Sequence, residues 1–81
     1  MSKQPSKLWI EGKLEELANE YSSVYHTYLH SNPIQQEYTV RVCYEVEDKG
    51  HSFIEVTEKM WNYHMMLCKV ENELSDCIYG Q

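Results

Sequence analysis

Apolar and polar positions alternate one by one between Glu37 and Val46. Tyr38, Val40, Val42, Tyr44 and Val46 interleave with Glu37, Thr39, Arg41, Cys43 and Glu45. A period of two places each set on its own face of a β-strand. Asp48-Lys49-Gly50 follows, with glycine where a tight turn calls for a left-handed backbone. Read as a three-residue loop, it sets Glu47 opposite His51, Val46 opposite Ser52, Tyr44 opposite Ile54 and Val42 opposite Val56. The apolar sets then share one face, and a slip of one residue would part them. The pattern predicts a β-hairpin with strands at 36–47 and 51–57.

The period changes on either side. Ile10, Leu14, Leu17, Tyr21, Val24, Tyr25 and Tyr28 recur at spacings of three and four, which predicts a helix over 6–30. Ser6 is its expected N-cap, and Asn32-Pro33 its stop, because the residue before a proline is pushed out of the helical region. Residues 1–5 read as a loose start. After the hairpin, Thr57 is expected to cap a second helix over 57–78, with Glu58 in its first turn. Met60, Tyr63, Leu67, Val70, Leu74 and Ile78 would form its core stripe, within a sector of about 80°.

The expected fold is therefore α+β: one domain, helix–β-hairpin–helix, with both helices on the apolar face of the hairpin. A lone two-stranded sheet is marginal, and both its strands are edges. The first strand overhangs its partner over 37–40, leaving backbone groups unpaired. That points to a homodimer that completes the sheet, or to strand addition to a partner.

Charge narrows the function classes. The 81 residues carry 13 acidic and 7 basic side chains, a net charge of −6. Direct binding to nucleic acid needs a basic footprint and is not expected. An acidic surface instead suits a basic partner protein. Cys43, Cys68 and Cys77 fit no zinc or redox spacing. There is no apolar signal region and no apolar run of membrane-spanning length, so free thiols in the cytoplasm and no membrane contact are expected. No spacing pairs a nucleophile with its base, and the glycines are scattered rather than gathered into a phosphate-binding loop. The expectation is no enzyme and no cofactor. His26 with His30, and His64 with Cys68, are i, i+4 donor pairs of the kind that bind zinc on a helix. On the predicted faces the two pairs do not converge within one chain, which leaves only a site between chains.

The candidate chemistry is that of contact surfaces. Trp61, Met65, Cys68 and Tyr79 lie off the predicted core stripe and form a second strip, with His64 on its shoulder. Tryptophan and methionine in such a strip suit an interface; the competing reading is that the N-terminal segment with Trp9 covers it. The outer face of the hairpin adds Phe53 and the carboxylates Glu45, Glu47 and Glu55. In size, acidity, content of seven tyrosines and lack of a catalytic motif, the chain resembles the small accessory proteins with which phages and mobile elements block host machinery. That resemblance implies a viral, anti-defence inhibitor, of anti-CRISPR type for example, docking on a host defence or nucleic-acid-handling protein. Two other readings remain: an oligomeric sponge for a nucleotide-like signal, which the shortage of Lys and Arg disfavours, and a structural or regulatory subunit of a larger complex.

Overall fold

The alternating stretch folds as its pattern requires. In a computed structural model that describes residues 6–79, Glu37–Val46 forms strand β2 and Gly50–Lys59 forms strand β3, paired antiparallel. The backbone N–H of Lys49 donates to the carbonyl of Val46 at 3.0 Å, and Gly50 has φ +75°. A turn followed by a left-handed glycine is a common three-residue hairpin connection. The loop is Glu47-Asp48-Lys49, one residue earlier than the sequence reading placed it. Val46 therefore faces Gly50, Tyr44 faces Ser52 and Val42 faces Ile54. Moving the loop by one residue moves the partners by two, so the faces are unchanged. Tyr38, Val40, Val42, Tyr44, Ile54 and Val56 are all buried on one side.

The first predicted helix is where the structure departs most from expectation. Helix α1 spans only Lys7–Glu20, and Val24–Asn32 is a third strand, β1, antiparallel to β2. Ser6 caps α1 as expected, its hydroxyl accepting from the Trp9 N–H at 3.2 Å. Beyond Glu20 the composition changes: Ser22-Ser23, then Val, Tyr and Thr residues that fill strands better than helices. Asn32-Pro33 opens the β1–β2 connection instead of ending a helix. The vacancy beside β2 is thus filled by the same chain. Glu37 pairs with Asn32 on one side and Lys59 on the other, leaving no overhang. The sheet has the order β1-β2-β3 with β2 in the centre.

Thr57 does not cap a helix. It continues the alternation of β3, and its hydroxyl lies 3.0 Å from that of Thr39 on β2. The chain leaves the sheet only after Lys59, through a 3-10 turn at Met60–Asn62, and helix α2 runs over Tyr63–Tyr79. Lys69 and Glu58 form an ion pair across this junction. The core stripe of α2 is Met66, Val70 and Leu74, each fully buried, while Leu67 and Ile78 are only partly so. The observed stripe is rotated by about 40° from the predicted one. Leu67 belongs to the flank that meets α1, beside Leu17, whereas Met66 points into the core.

Ile10 and Leu14 of α1, Leu29 of β1, the apolar faces of β2 and β3 and the α2 stripe form one core. Both helices lie on this one side of the sheet, α1 along β1 and α2 against β3 and β2. The fold is a two-layer α+β arrangement, and among the described residues no helix covers the other face of the sheet. No described helix is long and apolar enough to cross a membrane. Residues 1–5, read as a loose start, lie outside the described residues.

Candidate binding surfaces

Three strands set the columns of the bare face. His26, Cys43 and Phe53 form one row, Tyr28, Arg41 and Glu55 the next, and His30, Thr39 and Thr57 a third. Residues directly opposite in a sheet share a face, so these nine side chains stand together. Tyr28 and Phe53 are each more than half exposed. Tyr25 is the extra residue of a β-bulge, since the register shifts between Val24 and His26. Its ring stands edge-on to His51 at 5.5 Å between centroids.

Charges on this face are largely internally matched. The Arg41 guanidinium donates twice to the same Glu55 oxygen, at 2.9 and 3.2 Å, and lies 4.6 Å from the Phe53 ring centroid. Lys59 reaches Glu37 at 3.5 Å, and His51 stands 3.9 Å from Glu45. These pairs are solvent-exposed and contribute little to stability. The Glu55 pair fixes Arg41 beside the Phe53 ring, and the face presents an aromatic–guanidinium surface with low net charge. The excess carboxylates lie elsewhere, on α1, at the hairpin turn with Glu47 and Asp48, and on the second half of α2.

The eight residues proposed as contact residues do not form one surface. Phe53, Glu45 and Glu55 stand on the open sheet face, and Glu47 at the hairpin turn. Trp61, Met65, Cys68 and Tyr79 are exposed on the helix side, so the strip is not covered among the described residues. Trp9 instead stands edge-on to Tyr63 and His64, at 6.0 and 6.5 Å. Tyr79 lies about 27 Å along the chain from Trp61 at helical rise and packs on Tyr21. Cys68 borders a shallow groove of about 200 Å³ between the helices, with Leu17 and Leu67 in its lining.

The sequence hides Tyr25, Tyr28, His26 and His30 as members of the sheet face, because a helical period of apolar residues also runs through this segment. The signal that could have found them was the Ser22-Ser23 break followed by a run of aromatic and β-branched residues. The same change removes the His26/His30 zinc pair. On a strand four residues span about 13 Å, too far for two ligands of one ion. Among the described residues no group of three or more His, Cys, Asp or Glu gathers to hold a metal.

A second concavity lies between α1 and β1. It has a volume of about 490 Å³, with Leu14, Ala18 and Leu29 on its floor and Glu11, Glu15 and Asn19 on the helix side. Two tyrosines on the core side titrate late. Burial holds the Tyr21 hydroxyl above its ordinary value, and Glu71, Tyr79 and Glu20 add to the effect against a Ser75 hydrogen bond. Tyr44 is held up chiefly by the Cys77 thiol beside its hydroxyl, and by burial, against an opposing hydrogen bond from Ser52. No known protein family, curated protein or solved structure matches this chain.

Proposed function

We propose that this is a non-catalytic binding protein that docks on a protein partner through the open face of its sheet. One observation carries the reading: Tyr25, Tyr28 and Phe53 are 59, 53 and 54 % exposed on one bare face. Tyrosine, phenylalanine and arginine are the residues that anchor interfaces, and a contiguous exposed patch of them marks a contact site. Glu45 and Glu55 lie beside the aromatics and Glu47 at the adjoining turn, where basic side chains of a partner would meet them. The form of that function follows the resemblance drawn from the sequence: an inhibitor of phage or mobile-element type, acting on a host defence or nucleic-acid-handling protein. Trp61, Met65 and Cys68 are a second contact region on the helix side, with Tyr79 apart from them at the far end of α2.

The test uses three baits: the wild-type chain, a sheet-face variant with Tyr28→Ser and Phe53→Ser, and a helix-side variant with Trp61→Ser and Met65→Ser. Each is checked for its fold by circular dichroism, then used for affinity capture from host lysate with mass spectrometry. The expected result is a partner retained by the wild-type and helix-side baits and lost with the sheet-face bait. A partner lost only with the helix-side bait, or none that depends on either face, overturns the proposal.

A further inference from the structure

We infer that the outer edge of β1 accepts an extended basic segment of a protein partner as a fourth strand, with its lysine or arginine side chains reaching Glu11 and Glu15. This rests on the docking function above and names the chemistry of the partner. Among the described residues β1 is an edge strand whose outer side faces no other strand. Natural edges are commonly blunted by charge, proline or bulges. Across Val24–Asn32 there is no Asp, Glu, Lys, Arg or Pro, and the one irregularity is at Tyr25, so 26–32 is a regular edge. The opposite edge, β3, carries Glu55, Glu58 and Lys59.

The cleft beneath β1 supplies the specificity. An added strand points alternate side chains to opposite faces of the sheet. One set would extend the open aromatic face beside Tyr28. The other would enter the cleft over Leu14 and Leu29, where Glu11 and Glu15 wait on α1. Among the described residues neither carboxylate forms an ion pair, although Glu16 on the same helix does. A second copy of the chain fits this edge less well. It would bring its own Glu11 and Glu15 towards the first pair, on a chain already carrying −6. Like charges at an interface disfavour association.

The probe is a fluorescein-labelled nine-residue peptide alternating Lys with Val. Two controls accompany it: the same peptide alternating Glu with Val, and the Lys–Val peptide with alternate backbone amides N-methylated. Anisotropy is read at low ionic strength, and amide hydrogen exchange is followed with and without peptide. The expected result is Lys–Val binding about tenfold or more tighter than either control, with slowed exchange at 26–32. The double variant Glu11→Gln/Glu15→Gln should weaken it by up to about fivefold per carboxylate. Equal binding of the N-methylated peptide would show charge attraction without strand pairing and overturn the inference. So would a chain that sediments as a dimer with 26–32 already protected, since a second copy would then hold the edge. The two proposals fail separately. A captured partner lost with Tyr28→Ser/Phe53→Ser but kept by Glu11→Gln/Glu15→Gln, and blind to the peptide, overturns strand addition and leaves docking intact. Peptide binding with no partner that depends on the sheet face does the reverse.

Discussion

Truncating Met66 tests how α2 sits on the sheet. Met66 is fully buried among the core residues, whereas Leu67, its neighbour, is only partly buried against α1. Removing a fully buried methionine side chain costs about 2–5 kcal/mol, from lost transfer energy and the cavity left behind. A domain of 81 residues is stable by only about 4–12 kcal/mol. Met66→Ala should therefore remove a large share of the total. With about 4–8 °C per kcal/mol at this size, its thermal midpoint should fall by about 10 °C or more. Leu67→Ala loses less area and opens a site that solvent or side chains can refill. It should cost about 1–2 kcal/mol. Leu74→Ala, at a fully buried position, serves as the reference for a core truncation. Urea unfolding followed by far-ultraviolet circular dichroism gives the three midpoints, with unchanged slopes confirming two-state comparison. The expected order of damage is Leu74 and Met66 well ahead of Leu67. If Leu67→Ala unfolds the protein as badly as Leu74→Ala while Met66→Ala is mild, α2 is rotated and the reasoning fails.

Two glycines should respond to alanine with opposite signs. A Cβ at either Gly12 or Gly50 meets no atom within 4 Å. Only Gly50 has positive φ, at +75°, so Gly50→Ala should cost about 1–2 kcal/mol from backbone strain alone. Gly12→Ala, inside α1, should stabilise by about 0.5–1 kcal/mol in the same urea assay. The raised values of Tyr21 and Tyr44 give a pH dependence. A group whose folded value lies above its unfolded value of 10.0 stabilises fully below that pH, and the contribution is lost as pH rises through the folded value. Spectrophotometric titration should show the Tyr21 and Tyr44 hydroxyls ionising late, together with unfolding, and Tyr21→Phe or Tyr44→Phe should each move alkaline unfolding to higher pH. Alkaline unfolding below pH 10, or unmoved by either substitution, would contradict this. Trp61→Ala should leave the thermal midpoint within a few degrees, because Trp61 is 55 % exposed; a loss matching Leu74→Ala would make it core.

The hairpin was legible because one strong local pattern fixed it. Tyr38, Val40, Val42 and Tyr44 could be buried together in only one phase, and the two-residue error in partner left that phase intact. The Ser6 cap was legible for the same local reason. Residues 21–32 were not. Tyr21, Val24, Tyr25 and Tyr28 fit a helical period by spacing, but most of that match was coincidence: Tyr25 and Tyr28 stand on the solvent side, and Leu29 is the fully committed core residue of β1. The bulge at Tyr25 breaks the alternation that would have announced a strand. What closes β2 is a non-local pairing, and periodicity within one segment does not report it. The error propagated into the site. A missing strand left β2 with an apparent vacancy, which suggested a dimer, and it hid half of the open face. On α2, Met66 and Leu67 are adjacent apolar residues, and only the position of α1 decides which one faces the sheet.

Everything assigned to the open face depends on Val24–Asn32 being its third strand. Nuclear magnetic resonance of the labelled chain tests that directly. The expected result is extended-strand chemical shifts over 24–32, inter-strand contacts linking Leu29 with Val40 and Tyr28 with Arg41, and slow exchange of the amides that pair with β2. Helical shifts continuing from Glu20 to His30, with none of those contacts, would contradict it.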